Sequence, residues 1–305
     1  MQIAAFDVSK KTLEVCRHGK VSRLANEESE IRAFLTQLDR DTVLAAEATG
    51  YLHQNLANIG HEMGFTVIVA NPKRVRNYAR SEAYRGKTDR LDAQTIEAFV
   101  RDKHDRLKAY SPASKVVENA KALVTRRASL SKARALVDLS LRNCEFLSGA
   151  RGLAMSGLSA AIKLADKQLA KLLKKEPAYK LLQTIPGVGP LVGAYFFALL
   201  ERYPFADSDA FVAFLGLDPR PNDSGSRTGK RWLTKQGDAE GRRLAYLAAM
   251  AACRQEPFKT YYEAQKAKGL STIAALVVVA RKLSRVAYSV HKSGQPYRPP
   301  LDKPS

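Results

Sequence analysis

The sequence predicts an α/β amino-terminal domain, then a helical arm, then a mainly helical carboxy-terminal domain. Three observations carry this. The first hundred residues switch between apolar patterning of period 2 and of period 3.6. Residues 111–178 keep a helical period almost throughout. Helical periodicity returns from Tyr179 to about Val290, interrupted by a Gly/Ser/Arg-rich stretch between Pro219 and Gly229. The divisions are therefore placed at 1–110, 111–178 and 179–292. The proline-rich, polar tail SGQPYRPPLDKPS, over 293–305, is expected to be disordered.

Taken in order, IAAFDV, TLEVCR and VSRLA are short strand candidates in immediate succession. A helix is expected from Glu27 to Leu38, a strand at VLAAEA, a helix from Leu52 to Met63 and a strand at TVIVA, followed by helices over Pro72–Ala79 and from Asp89 to about Val100. Runs such as VIVA suit central parallel strands covered on both faces. Three strands followed by α, β, α, β, α describe a mixed sheet with helices packed on it, the order of a ribonuclease-H-like (RuvC-like) fold. From Ser114 to about Lys175 the pattern reads as an antiparallel helical pair, with its break expected around Gly149–Gly157.

The chain has 305 residues and a formal charge of +20, from 50 Lys+Arg against 30 Asp+Glu. The excess is uneven: +3 over residues 1–110, +8 over 111–178 and +9 over 179–305. Such a surface points to a polyanion, nucleic acid first, because each neutralised phosphate releases counterions. An inert solvated basic surface would leave the same composition. Cys16, Cys144 and Cys253 are odd in number, far apart and without metal-ligand spacing, which fits a reducing, cytoplasmic setting. The first residues, MQIAAFDVSKK, place an aspartate inside what would be a signal peptide's apolar core. The longest apolar stretch, Ile273 to Ala280, is too short to span a bilayer, so no membrane is implied.

Asp7 sits in the middle of the first strand candidate and Glu47 near the end of the fourth, where buried sheet positions ordinarily hold aliphatic residues. Asp89 and Asp92 are three apart at a helix start, so they share a face and a helix N-terminus favours their charge. In a ribonuclease-H-like order the first and fourth strands are adjacent and the last helix crosses them, which would bring all four carboxylates together. Such a cluster repels itself unless cations bind. Hard oxygen ligands suit Mg²⁺, one ion or two, and two would serve phosphodiester chemistry by activating the attacking oxygen and stabilising the leaving one. Asp89 and Asp92 alone could equally be capping or solvated residues.

FDVSKKTLEV, AAEATGYLHQNLANIG, ANPKRVRNYARSEAYRGKTDRLDAQTI, QTIPGVGPLVGAYFFALL and FLGLDPRPNDSGSRTGKRWLTKQGDAEGRRLAYLAAM together resemble the DEDD transposases of insertion-sequence family one-hundred-and-ten, which include pilin-gene inverting recombinases. The resemblance runs from Met1 to about Tyr288. It implies an acidic tetrad on Asp7, Glu47, Asp89 and Asp92, and a catalytic serine on Ser224, in PNDSGSRTGK, within a carboxy-terminal transposase domain. The implied reaction is attack by that serine on a DNA phosphodiester, giving a phosphoserine link and a free 3′-hydroxyl. Implied partners are element-end and target DNA, a structured noncoding bridge RNA, and further copies of the chain as a dimer or tetramer.

Read from its residues, the serine loop suits this role. Gly225 and Gly229 allow close phosphate approach, and Arg227, Lys230 and Arg231 supply positive charge. No histidine lies nearby to activate the serine, which leaves the carboxylate-bound metal as activator and requires the two domains to meet, within a chain or across a dimer. Ser226 is a rival nucleophile, and Asp223 precedes Ser224. IPGVGP, from Ile185 to Pro190, resembles a helix-hairpin-helix turn in which Gly187 and Gly189 could present backbone N–H groups to a phosphate; an ordinary helix-helix turn reads the same. Arg242 and Arg243 could contact backbone phosphate or form a solvated face. His18, His53, His61, His104 and His291 show no ligand spacing, and Tyr195, Phe196 and Phe197 sit at core-like spacing. Two other functions stay open: a junction-resolving metal nuclease using water, for which Ser224 is dispensable, and a non-catalytic nucleic-acid-binding protein, for which Asp7 is. A recombinase that inverts DNA without RNA is a variant of the main reading.

Overall fold

The structure is a computed structural model that describes residues 1–48, 52–82, 89–220, 223–224, 227–228 and 232–299; no side chain is described at 89–91, 220, 223–224, 227–228 or 232. The chain divides into two compact units, Met1–Pro112 and Ala113–Ser305.

The first unit contains β1 (Ile3–Val8), β2 (Thr12–Arg17), β3 (Lys20–Ala25), α1 (Glu28–Leu35), β4 (Val43–Glu47), α2 (His53–Glu62), β5 (Thr66–Ala70), α3 (Pro72–Ser81) and α4 (Asp89–Lys103). The strands form one mixed sheet of order β3-β2-β1-β4-β5. β1–β2 and β2–β3 are antiparallel, β1–β4 and β4–β5 parallel. The order is consistent with a ribonuclease-H-like α/β domain. Alternation along the strands sorts the core into two layers. Ala4, Phe6, Val8, Leu44, Ala46 and Val67 face α1 and α2, packing on Ile31, Leu35, Leu56 and Ile59. Ile3, Ala5, Val43, Ala45, Ile68 and Ala70 face the other way, against Ala93, Ile96, Phe99 and Val100 of α4.

The second unit begins with two long helices, α5 (Lys115–Leu141) and α6 (Ser148–Leu173). Ser114 caps α5 by accepting from the Val117 amide at 3.3 Å. Arg127 closes a two-pronged pair on Asp166 at 2.6 and 3.2 Å, and Asp138 near the turn takes Arg142 at 2.7 Å and Arg151 at 2.9 Å. Hydrogen bonds from Arg142 and Arg151 hold the Asp138 carboxyl below its ordinary titration range. The break between these helices falls at residues 142–147, a stretch that includes a short 3-10 turn (Glu145–Leu147), and not at the expected 149–157. Gly149, Gly152 and Gly157 lie inside α6 with open space where a Cβ would be. Glycine weakens a helix by only about 1 kcal/mol, which packing against a long partner offsets.

The remaining helices are α7 (Pro177–Leu182), α8 (Pro190–Arg202), α9 (Ser208–Phe214), α10 (Ala239–Ala252), α11 (Phe258–Ala267) and α12 (Thr272–Ser293). Between α9 and α10 lie four two-residue strands: β6 (Pro219–Arg220), β7 (Asp223–Ser224), β8 (Arg227–Thr228) and β9 (Trp232–Leu233). The middle of α8, from Val192 to Leu200, is buried, including Tyr195, Phe196 and Phe197. Its core joins Val117, Ala120 and Val124 of α5 and Leu169 and Leu173 of α6, so the near ends of the long helices belong to the same core as the later ones. Tyr297 stacks on Phe258 with centroids 6.2 Å apart, and its amide donates to Thr184 Oγ1 at 2.8 Å. Tyr297 is thus held against the helical core, its ring supplying apolar area that the polar composition of this stretch otherwise lacks, while residues 300–305 of the expected disordered tail lie outside the described residues. Among the described residues no helix is long and apolar enough to cross a membrane.

Candidate active site

Asp7 is the penultimate residue of β1 and Glu47 the last of β4, both at the carboxyl ends of parallel neighbours. The register pairs Phe6 with Ala46, and one step further sets Asp7 beside Glu47, on strands about 5 Å apart. Parity decides where they point. Ile3 and Ala5, four and two residues before Asp7, and Val43 and Ala45, four and two before Glu47, all belong to the layer under α4. Both carboxylates therefore emerge on the α4 face at the end of the sheet, each half-buried. Asp92 is half-buried too and precedes Ile96 and Phe99 by four and seven residues, which puts it on the sheet-facing stripe of α4. Asp89 opens that helix; its side chain lies outside the described ones.

α4 is held over β1 and β2 by a contact the sequence reading missed. Glu97, 4% exposed, accepts from Cys16 Sγ at 2.9 Å and from the Gly19 amide at 3.4 Å, and pairs with Arg101 at 2.5 Å. Gln94 adds a bond to the Gly19 carbonyl at 3.1 Å. Burial, reinforced by the hydrogen bond and charge of Glu97, pushes the Cys16 thiol from 9.0 up to about 12, so it stays protonated and donates. The only local signal was a glutamate inside the apolar stripe IEAFV. A second omission is Glu14, which register places opposite Asp7 on the same face. Arg23 pairs with it at 2.5 Å, so its charge is already balanced.

Half-buried carboxylates at the carboxyl ends of two neighbouring strands, with a third on the sheet-facing stripe of α4, are oxygen donors of the kind a hard divalent cation takes. Among the described residues no three His, Cys, Asp or Glu side chains lie close enough to hold a metal on their own. Asp89, whose side chain is outside that set, would be the fourth ligand of the tetrad.

Ser224 lies in the second unit. β7 pairs antiparallel with β8, placing Ser224 opposite Arg227, and β6 pairs with β9 below them. The side chains of Ser224 and Arg227 are not among those described, and Gly225, Ser226, Gly229, Lys230 and Arg231 lie outside the described residues. The base of this segment is tied by side-chain and backbone contacts. Asp218 accepts from the Thr234 amide at 3.1 Å and from Thr234 Oγ1 at 2.6 Å. Gly237 crosses Phe214 and Gly216 so closely that a Cβ would stand 2.2 Å from the Phe214 carbonyl oxygen. Asp238 caps α10 through the Gly241 amide at 2.5 Å and receives the Tyr195 hydroxyl at 3.0 Å. Burial, and then the Asp238 carboxylate, drive the Tyr195 hydroxyl's pKa upward, so it remains a donor.

The basic residues expected at a phosphate divide differently. Arg242 donates to the Leu215 carbonyl at 3.1 Å, and Arg243 forks onto Glu240 at 2.9 and 2.5 Å. Gly187 has φ +83, and a Cβ there would meet the Ala248 carbonyl oxygen at 2.4 Å, so this glycine is explained by the approach of α10. Gly189 is the exposed member of the pair and caps the N-terminus of α8.

Comparison with known proteins bears on both units. Residues 4–148 match a DEDD transposase family model, and residues 179–263 match the transposase IS116/IS110/IS902 family. The chain belongs to the IS110/IS116 family of transposases. It is 28% identical over 144 residues to the insertion element IS116 uncharacterized 44.8 kDa protein of Streptomyces clavuligerus, covering 47% of this chain and 36% of that protein. It is 26% identical over 145 residues to the insertion element IS900 uncharacterized 42 kDa protein of Mycobacterium paratuberculosis, covering 47% and 36%. The chain thus spans about a third of the length of these two curated relatives. A longer match, 24% identical over 265 residues and covering 83% of this chain and 81% of the relative, is to the pilin gene-inverting protein of Moraxella lacunata.

Proposed function

We propose that the chain is a metal-dependent DNA strand-transfer enzyme in which Asp7, Glu47, Asp89 and Asp92 hold one or two Mg²⁺ ions and Ser224 is the nucleophile. The observation that carries this reading is the setting of Asp7 beside Glu47 on the α4 face, with Asp92 on the stripe of α4 that packs there. The IS110/IS116 family membership of both units supports it. When bound, the cations would polarise the phosphodiester and lower the pKa of the attacking oxygen. Ser224 Oγ forms a bond to phosphorus as the P–O3′ bond breaks, and its proton ends on the departing oxygen as a free 3′-hydroxyl. Arg227, Lys230 and Arg231 would offset charge developing on the phosphoryl oxygens, with the Gly187–Gly189 turn, Arg242 and Arg243 as weaker candidates for backbone contact. The division at 110 and 178, a cytoplasmic setting, a homo-oligomer and a bridge RNA guide belong to the same proposal. The long match to a pilin gene-inverting protein favours site-specific DNA inversion as the variant form.

The test incubates the full chain with Mg²⁺, candidate element-end DNA and flanking noncoding RNA, and looks for a covalent protein–DNA adduct on a denaturing gel. The expected adduct disappears in both Ser224→Ala and Asp7→Asn. Cleavage that persists without adduct in Ser224→Ala would overturn the serine step and leave a metal nuclease using water.

A further inference from the structure

Arg281 is an anomaly that the proposed chemistry does not use. It lies within α12, half-buried, and its Nε is fully buried with no hydrogen-bond partner among the described residues. Buried guanidinium donors are ordinarily paired, because an unpaired charge out of water is costly. Its surroundings make matters worse. Burial lowers its pKa and the neighbouring Arg285 lowers it further, while Asp209, Tyr261 and Asp218 oppose this without reversing it. Both acids are already engaged: Asp209 takes Arg285 at 2.6 Å, and Asp218 holds the Thr234 hydroxyl. Tyr261, also near Arg281, carries the Lys282 ammonium over its ring at 4.0 Å. One face of α12 thus presents Arg281, Lys282 and Arg285, with no carboxylate left to pair with Arg281 among the described residues.

A half-buried cation with a like-charged neighbour and an unmet donor is a site short of one anion. Its location says which anion. Asp218, within electrostatic reach of Arg281, is the residue that closes the base of the segment carrying Ser224. We propose that Arg281, through the terminal nitrogens of its half-buried guanidinium, receives a backbone phosphate of the nucleic acid at the base of the serine segment, an anion that would balance the charge whose Nε is buried unpaired. The inference rests on the reading that this segment meets the strand being joined, but it concerns binding and not the covalent step.

The test uses the full chain, carrying Ser224→Ala throughout, with Arg281, Arg281→Met or Arg281→Lys. Fluorescence anisotropy against a labelled DNA duplex and a labelled RNA stem-loop is measured over a salt series, alongside Tm without nucleic acid. The expected Arg281→Met variant keeps or raises Tm, since an unpaired buried charge is removed. It binds roughly 3- to 10-fold more weakly at moderate salt, and its salt slope falls by about one unit, as for one lost phosphate contact. Arg281→Lys keeps the slope and recovers part of the affinity. Loss on both nucleic acids assigns a phosphodiester contact common to them, and loss on one assigns that strand. Unchanged affinity and slope in Arg281→Met overturns the proposal, as does a lowered Tm with wild-type-like binding, which would make Arg281 a packing residue. Because cleavage is absent from these readouts, survival of strand cleavage in Ser224→Ala would remove the serine step without touching the result.

Discussion

The two units hold the residues of the proposed chemistry by opposite means. In the first, Asp7 and Glu47 ride on strands inside a five-stranded sheet, and their direction follows from the parity of the apolar residues before them. In the second, Ser224 stands on a two-residue strand pair, and the base of its segment is tied by Gly216 against Gly237, Asp218 with Thr234, and Asp238 with Tyr195. A metal site needs fixed distances between several ligands, which a sheet supplies. A nucleophile on a short hairpin-like element, as proposed for Ser224, needs the base of that element held.

The sharpest way to break this contrast is at the sheet. Asp7→Asn or Glu47→Gln should lower strand transfer on the order of 10³-fold with Tm nearly unchanged, since several kcal/mol of metal-derived stabilisation is lost without disturbing packing. Single-turnover adduct formation with paired thermal melts reads both quantities, and activity within tenfold of the parent would remove these residues from the site. At the clamp, Gly237→Ala forces a methyl group onto the Phe214 carbonyl. The cost is roughly 1–3 kcal/mol, or about 3–10 °C in the melting of a unit this size. If Ser224 is positioned from this base, adduct yield falls below what the folded fraction explains.

A third prediction concerns the lock on α4. The Cys16 thiol titrates near 9.0 when unfolded and at about 12 when folded, so between these values the unfolded chain has lost a proton that the folded chain keeps. Stability from this group is complete below pH 9 and declines as pH rises toward 12. Denaturant titrations across that window should show the decline, and Cys16→Ala should flatten it; an equal decline in the variant would assign the effect elsewhere. The smallest effect is expected at the far end of the long helices. Asp138→Ala removes the carboxylate shared by Arg142 and Arg151, yet exposed ion pairs contribute at most about 1 kcal/mol. Tm should move by no more than about 4 °C; a larger drop would show that the helix pair needs this pin.

Legibility differed between the units for a physical reason. The strands of the first unit were readable because alternation is local, and a carboxylate breaking an apolar run is visible within six residues, as in IAAFDV. The glycines of α6 misled because, read one by one, they look like breakers; a helix packed along its length tolerates them. Tyr297 was hidden for the complementary reason, since one aromatic ring barely changes the composition of a polar tail.

The sequence by itself determined which residue types alternate, hence the strand order, the common face of Asp7 and Glu47, and the excess of positive charge. Only the tertiary structure decided that α4 is bolted to β2 through Glu97 and Cys16, 81 positions apart, that Gly216 and Gly237 cross, and that Arg242 and Arg243 have internal partners while the Arg281 Nε has none among the described residues. Propensity and periodicity report on neighbours a few residues away, whereas charge balance and close backbone approach are set by residues that meet only after the chain has folded.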